Sequence, residues 1–170
     1  MGHKHRIEVP GGLFHVTARG NAQDVIFRDD LDYLDFVRGI AEEASRHEWQ
    51  CHSFCLMPNH YHLLLETPQP NLGTGMHRLN GAYARRFNAR QRRLGHVFQG
   101  PYRAQVVERD EHLLEVYRYI ALNPVRAGLC TDPAAWPWSS HGGGYSFVES
   151  ALIQDLFGDK IGFTCFVSAG

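Results

Sequence analysis

The chain changes its hydrophobic period several times, and each change marks a predicted element. Apolar and polar residues alternate over residues 13–19, which is typical of a half-buried β-strand. Over residues 30–47, apolar side chains recur every three or four positions behind a capping aspartate, which predicts an amphipathic helix. Residues 49–57 and 60–67 predict two strands that pair antiparallel across a turn at Pro58-Asn59.

The second half of the chain is predicted to contain two more helices and one more strand. Helical spacing returns over residues 74–92, and glycines in the following loop should end this second helix. Residues 102–108 can form a fourth strand. A third helix is expected over residues 111–122, with Asp110 as its cap and Pro124 as its stop.

The predicted order β-α-β-β-α-β indicates the α+β class, with a ferredoxin-like antiparallel sheet that carries helices on one face. The additional helix after the fourth strand would have to pack elsewhere on the sheet. A chain of 170 residues suits one domain with a full core. We expect residues 1–145 to form that domain. Residues 146–170, with a short helix near 149–157, should pack on it or trail from it.

The sequence offers no sign of a membrane segment or of disulfide bonds. No stretch approaches the roughly 20 apolar residues of a membrane helix, and the basic N-terminus lacks the apolar core of a signal peptide. A cytoplasmic protein without a membrane partner is therefore expected, with its four cysteines as buried thiols. Cys51 and Cys55 would lie about 13 Å apart on a strand, too far for one zinc ion.

Positive charge is concentrated in one segment, although the net charge is only −1. Residues 71–107 contain seven arginines and no acidic residue. The rest of the chain holds the other ten of the 17 basic residues and all 18 acidic ones. A solvated helix face is the simplest source of such a run, but the complete lack of acids favours nucleic acid as a partner. The predicted DNA-binding residues are Arg78, Arg85, Arg86, Arg90, Arg92, Arg93 and Arg103.

Two pairs of side chains are candidates for chemistry. His60 and His62 are two residues apart on a predicted strand, so both imidazoles project from one face with Cα atoms about 7 Å apart. Tyr119 and Asn123 are four apart on a predicted helix and share one of its faces. Taken alone, the histidines fit a polar strand face better than a metal site, and Tyr119 fits a core position. Tyr117, a rival nucleophile, points about 200° away around the helix.

Four blocks of sequence occur in the order of one known family. Residues 56–64 (LMPNHYHLL) resemble a histidine–hydrophobic–histidine (HUH) motif, and residues 12–21 resemble a first strand with an Arg-Gly-Asn turn. Residues 98–103 are similar to an aromatic-Gln-x-x-Tyr/Phe-Arg segment. Residues 119–127 resemble a tyrosine helix, and Trp138-Ser139-Ser140 follows downstream. Together these blocks resemble the REP-associated tyrosine transposases (RAYTs), a subgroup of the single-tyrosine HUH transposases.

This resemblance implies a metal-dependent, nucleoid-associated enzyme that cuts and rejoins single-stranded DNA beside hairpins, typically repeated extragenic palindromes (REPs). His60 and His62 match the two metal-binding histidines, and Asn123 matches the third ligand position. Tyr119 matches the catalytic tyrosine, which forms a 5′-phosphotyrosine link and leaves a free 3′-hydroxyl. Mg²⁺ or Mn²⁺ is the implied cofactor, and an amide oxygen is a suitable ligand for either ion. The resemblance is compatible with a monomer or a homodimer.

Two alternatives remain open at the level of the sequence. A catalytically inactive nucleic-acid-binding protein of the same fold would keep the arginine-rich segment without cutting DNA. The presence of His60, His62, Tyr119 and Asn123 together argues against this. A small-molecule metalloenzyme could use the two histidines, but it leaves the acid-free arginine segment unexplained.

Overall fold

A four-stranded antiparallel sheet organises the chain. The computed structural model describes residues 9–109, 111–158 and 160–168. Its strands are β1 (Gly12–Arg19), β2 (Gln50–Met57), β3 (His60–Thr67) and β4 (Arg103–Val106), in the spatial order β2-β3-β1-β4. Neighbouring strands run antiparallel throughout. This is the ferredoxin-like order, so the predicted α+β fold is confirmed.

Helices cover both faces of this sheet. Within the described residues they are α1 (Asp30–His47), α2 (Leu72–Gln91), α3 (Glu111–Arg126), α4 (Ala151–Phe157) and α5 (Lys160–Ser168). The residues of α1 and α2 share one hydrophobic core with the sheet, and those of α3 and α5 share a second core on the other face. None of these helices is long and apolar enough to cross a membrane.

Alternating side chains of β3 contribute to both cores. Tyr61 and Leu63 point towards α1 and α2, where they are fully buried in the same cluster as Phe36. Leu64 points the other way and joins Tyr117 of α3. Burial of each such large side chain contributes about 1.5–3 kcal/mol. The sheet is therefore held between two apolar layers.

The tyrosine-bearing helix does not stop at Pro124, and that prediction was wrong. Proline removes one amide donor, but it lies in the last turn of α3, where the loss of one hydrogen bond is tolerated. The amides of Ala127 and Leu129 donate to the carbonyls of Asn123 and Pro124 at 3.0 and 2.9 Å. The helix thus continues to Arg126. The predicted cap, Asp110, lies outside the described residues.

The C-terminal residues form two helices, of which the sequence pattern predicted only α4. The apolar residues of α5 lack a clear helical period, which is why this helix was missed. Phe163 and Val167 of α5 are buried in the same core as Tyr117 of α3. The extension therefore packs behind the tyrosine-bearing helix.

A bulge in β2 separates the two strand cysteines. The register shifts between Cys51 and Ser53, so that Cys51 lies in the core of α1 and α2, and Cys55 lies in the core of α3. Both are buried free thiols, as predicted, whereas Cys130 is partly exposed and Cys165 is exposed. The predicted burial was wrong for Cys165, because this residue lies on the outer side of α5. With opposite orientations, Cys51 and Cys55 cannot bind one metal ion.

The arginines of α2 and its C-terminal end pair with carboxylates on and before α1. The Nε atom of Arg86, for example, lies 2.8 Å from a carboxylate oxygen of Asp35. The ion pairs are Arg78–Glu43, Arg86–Asp35, Arg90–Asp29, Arg90–Asp32 and Arg93–Asp24. Four of the seven predicted DNA-binding arginines are thus neutralised within the chain. The charge asymmetry of the sequence is largely balanced between these two helices.

Two glycines of α2 should respond oppositely to alanine. A Cβ on Gly75 would lie 2.2 Å from the ring of Trp49, which is buried beneath the helix. A Cβ on Gly81 meets only the guanidinium of Arg85 at 3.5 Å. We expect Gly75→Ala to lower the free energy of unfolding by about 1–3 kcal/mol through overpacking. Gly81→Ala should raise it by about 0.5–1 kcal/mol through helix propensity.

Urea denaturation of the two variants beside the parent protein measures both changes. Because both substitutions lie within one helix and add one methyl group, each serves as the control for the other. A Gly75→Ala protein as stable as Gly81→Ala would contradict the tight contact between α2 and Trp49.

Candidate functional site

Strand β3 places His60 and His62 on the face of the sheet that carries α3. In the register with β1, His62 lies opposite Thr17 and His60 lies opposite Arg19. Tyr61 between them points to the other face, where its hydroxyl donates to Asn80 Oδ1 at 2.8 Å. The burial of Tyr61 therefore fixes the direction in which both histidines project.

Helix α3 brings Tyr119 and Asn123 to the same two histidines. The rings of Tyr119 and His62 meet edge to face, with centroids 5.2 Å apart. The side chain of Asn123, which is 9% exposed, donates from Nδ2 to the backbone carbonyl of Tyr119 at 3.0 Å, and its proximity to His60 opposes the lowering of that histidine's pKa. Tyr119 is 42% exposed, whereas Tyr117 is fully buried. A single chain thus brings together the four residues that the sequence singled out, and Tyr119 is the accessible tyrosine.

His15 also belongs to this site, although the sequence pattern gave it no role. Its Nε2 atom lies 2.9 Å from Nδ1 of His62, and the two rings stack with centroids 5.2 Å apart. The ring of Tyr119 lies 6.0 Å from that of His15. The signal in the sequence is weak: His15 sits in the alternating pattern of β1, and only the strand register brings it beside His62.

Hydrogen bonds orient both candidate metal-binding imidazoles. Nδ1 of His60 donates to Oδ1 of Asn59 at 2.7 Å, which leaves the lone pair on Nε2. Nδ1 of His62 contacts His15, while its Nε2 is buried with no hydrogen-bond partner among the described residues. A proton on that Nε2 would be an unsatisfied buried donor, so the favoured tautomer carries the proton on Nδ1.

Burial keeps the histidines of the site neutral. Desolvation, followed by the nearby His112, lowers the pKa of His15 to about 4. Desolvation is also the main reason why the pKa of His62 falls to about 3, with smaller effects from His15, His60 and Arg19. The pKa of His60 is lowered by burial and by Arg19. Neutral imidazole is the form that binds a metal ion.

The residues present fit a Mg²⁺ or Mn²⁺ ion better than a structural zinc ion. The unpartnered Nε2 of His62 and the side chains of His60 and Asn123 meet at one place. In the described part of the chain, no cluster of three or more His, Cys, Asp or Glu side chains could hold an ion. Two imidazoles and one amide oxygen are a mixed donor set that leaves room for further oxygen ligands, such as water or phosphate.

His60, His62 and Tyr119 border a cleft of about 670 Å³, together with His15. Arg19 and Arg103 line it from β1 and β4, and Gln99 to Pro101 close one side. Arg103 is the one member of the predicted arginine set among the cleft-lining residues. The ion-paired arginines of α2 lie on the opposite face of the sheet, with α1. Arg85 and Arg92 are exposed and, in the ranges that the structure describes, have no carboxylate partner.

Comparison with known proteins places this geometry in a family. The IS200-like transposases match residues 9–123. Among solved structures, a REP-associated tyrosine transposase bound to a REP hairpin has a TM-score of 0.69 at 15% identity, covering 88% of this chain and 98% of that one. A candidate transposase from Deinococcus radiodurans R1 has a TM-score of 0.46 at 20% identity, covering 71% and 94%. No curated protein matches the chain.

The first structural match shows that the fold is similar to that of this transposase over most of the chain. The family match covers β1 to β4 and continues through Asn123, so it includes all four candidate residues. By this match over more than half of its length, the chain belongs to the family of IS200-like transposases.

Proposed function

We propose that the protein is a RAYT: a metal-dependent enzyme that nicks single-stranded DNA and joins the ends through a covalent tyrosine link. The observation that carries this proposal is that a single chain brings His60, His62 and Tyr119 to one cleft, with Asn123 beside His60. Because one chain supplies all four, the protein can act as a monomer. Its setting would be the nucleoid, where its substrate is found.

Tyr119 is the proposed nucleophile. Its hydroxyl oxygen forms a bond to the scissile phosphorus while the bond to the 3′-oxygen breaks. The 3′-oxygen leaves as a hydroxyl after taking up a proton, and the phosphate stays on the tyrosine as a 5′-phosphotyrosine. The number of phosphoester bonds is unchanged, so the reverse attack by a 3′-hydroxyl rejoins DNA without ATP.

His60, His62 and Asn123 are the proposed ligands of Mg²⁺ or Mn²⁺. When bound, such an ion would neutralise charge on the scissile phosphate and favour the phenolate of Tyr119. His15 and Asn59 hold the two imidazoles in the tautomer and orientation that present Nε2. Arg19 and Arg103, which line the cleft, would contact the DNA backbone. The four ion-paired members of the predicted set, Arg78, Arg86, Arg90 and Arg93, would contact DNA only after leaving their carboxylates.

The proposed substrate is single-stranded DNA that carries a hairpin beside the cleavage site. The structural relative with the highest similarity reported above is bound to a REP hairpin, and its fold is shared over almost its full length. We infer the same class of substrate for this chain. The cleft, open to solvent and bordered by Arg19 and Arg103, can accept an unpaired strand that leaves a hairpin stem.

Removal of the Tyr119 hydroxyl should abolish the covalent adduct. We expect the parent protein to form an adduct with members of a hairpin oligonucleotide pool in Mn²⁺, detected as a shifted band on a denaturing gel. Tyr119→Phe should lower adduct formation by at least about 1,000-fold, since no other tyrosine lines the cleft in the part of the chain that the structure describes.

Tyr117→Phe is the matched control because Tyr117 lies on the same helix but is fully buried in the second core. It should keep the adduct. Persistence of the adduct in Tyr119→Phe would refute the assignment of the nucleophile. Binding of hairpins without cleavage by the parent protein would instead indicate an inactive DNA-binding protein.

Loss of the His15 ring should weaken metal binding without unfolding the protein. His15→Phe removes the partner of His62 Nδ1, and we expect about a 10-fold lower affinity for Mn²⁺, measured by the EPR signal of the free ion. His15→Gln, whose amide oxygen can accept the same hydrogen bond, should recover part of the affinity. His77→Phe, which alters an exposed histidine on α2, should have no effect.

A nitrogen NMR spectrum of the metal-free protein gives a second readout for this role. In the parent protein His62 should carry its proton on Nδ1, and His15→Phe should shift the population towards the Nε2 tautomer. An unchanged tautomer together with unchanged Mn²⁺ affinity would contradict the positioning role of His15.

The lowered pKa values predict that metal binding resists mild acid. Protons compete with the metal for each imidazole, so affinity falls as the pH drops through the pKa of the ligand. With the pKa of His62 near 3 and that of His60 also lowered, Mn²⁺ affinity should change by less than about threefold between pH 7.5 and 6.0. Titration calorimetry at constant ionic strength measures this dependence. A steep fall centred near pH 6.5 would show ordinary, solvent-exposed histidines.

A further inference from the structure

A second groove meets the catalytic cleft at Tyr119. It has a volume of about 370 Å³ and shares the side chains of His15 and Tyr119 with the first cleft. Beyond these it is lined by α3, with His112 near one end and Arg126 near the other. Tyr119 therefore stands at a junction, with open surface on two sides.

Unpaired arginines line both sides of this junction. Arg19 and Arg103 border the first cleft, and Arg126 borders the second groove, with its Cζ atom 5.6 Å from the centre of the Tyr119 ring. All three side chains are exposed, and none has a carboxylate partner among the residues described. They come from β1, β4 and α3, so no charge run in the sequence reveals them.

Two other charged side chains, Arg118 and Glu115, line the second groove and affect its positive charge. Arg118 donates to the carbonyl of Phe166 at 2.9 Å, and its guanidinium stacks 3.9 Å above the Phe166 ring. Arg118 is therefore held against α5 by these two contacts and is not available to bind a phosphate. Glu115 is the one carboxylate lining the groove, and it reduces the positive potential there. Arg126 is the cation of the second groove that remains available for a phosphate.

We propose that the two grooves form one surface for single-stranded DNA, with the nucleotides on opposite sides of the scissile phosphate held in different grooves. This inference rests on the proposed function. Charge complementarity supports a nucleic-acid strand: the three unpaired arginines flank the one exposed tyrosine that can attack a phosphate. A second protein chain would find few apolar side chains on this surface.

A divided surface suits the chemistry of a covalent tyrosine link. After cleavage the phosphate side of the strand remains attached to Tyr119, while the side that ends in the 3′-hydroxyl is free to leave. If a separate groove with its own arginine holds each side, the 3′-hydroxyl stays close to the phosphotyrosine. Rejoining then proceeds as an intramolecular step with a high effective concentration.

Binding to single strands without a hairpin tests the surface directly. All proteins carry Tyr119→Phe, and the probe is a labelled 24-nucleotide strand of random sequence in fluorescence anisotropy at several salt concentrations. Arg19→Gln, Arg103→Gln and Arg126→Gln should each weaken binding about threefold to tenfold and reduce the salt slope by about 0.7. Arg38→Gln is the matched control, because it removes an exposed, unpaired arginine from α1 on the opposite face.

A second measurement assigns each groove to one side of the scissile phosphate. A hairpin oligonucleotide that the parent protein cleaves is shortened on one side of the cleavage site or on the other. The loss of affinity caused by Arg126→Gln should disappear when one side is removed, and the loss caused by Arg103→Gln when the other is removed. Dependence of both losses on the same side would overturn the proposal.

The outcomes separate this inference from the proposed function. If the parent protein forms adducts but the three arginine variants bind like Arg38→Gln, the DNA surface is wrong and the nicking activity stands. Larger losses in Arg85→Gln and Arg92→Gln would also overturn it and assign DNA to α2. If no hairpin gives an adduct, the nicking activity fails and the two-sided surface fails with it, even where the arginine losses persist as plain DNA binding.

Discussion

The antiparallel pairing of β1 with β3 at the centre of the sheet is the constraint on which the site depends. Its register places His15, Thr17 and Arg19 beside the strand that carries His60 and His62. A shift by one residue would turn both histidines into the apolar core and Tyr61 out of it. The burial of Tyr61, between hydrophobic layers and with its hydroxyl bonded to Asn80, opposes that shift. The packing of Tyr61 on one face of the sheet therefore determines that His60 and His62 project from the other face.

The two faces of the sheet differ in what they contain. One face, covered by α1 and α2, contains the first hydrophobic core, and four of its arginines are ion-paired with carboxylates on and before α1. The other face carries α3, whose buried side presents Tyr117 to the core and whose exposed side presents Tyr119 to the cleft. Helix α5 packs behind α3, so the position of Tyr119 depends on core packing between Tyr117 and Phe163.

Polar groups at the site are arranged so that the histidines stay neutral and oriented. Nδ1 of His62 contacts His15, and Nδ1 of His60 donates to Asn59, so in both imidazoles Nε2 is the nitrogen left with the lone pair. Burial would make a charged imidazole costly, and the arginine charge of Arg19 adds to that cost. The same arginine favours an anion in the cleft. Such a site disfavours protonation of its histidines and favours the binding of a phosphate.

The sequence by itself determined the order of elements, the alternation that sends His60 and His62 to one face, and the helical spacing that aligns Tyr119 with Asn123. These follow from local periodicity, which each segment carries alone. Only the tertiary structure decided that His15 joins the site, that Pro124 lies within the helix, and that most of the arginine run faces carboxylates rather than open surface. Strand register, core packing and ion pairs between distant segments are non-local, so no stretch of sequence contains them.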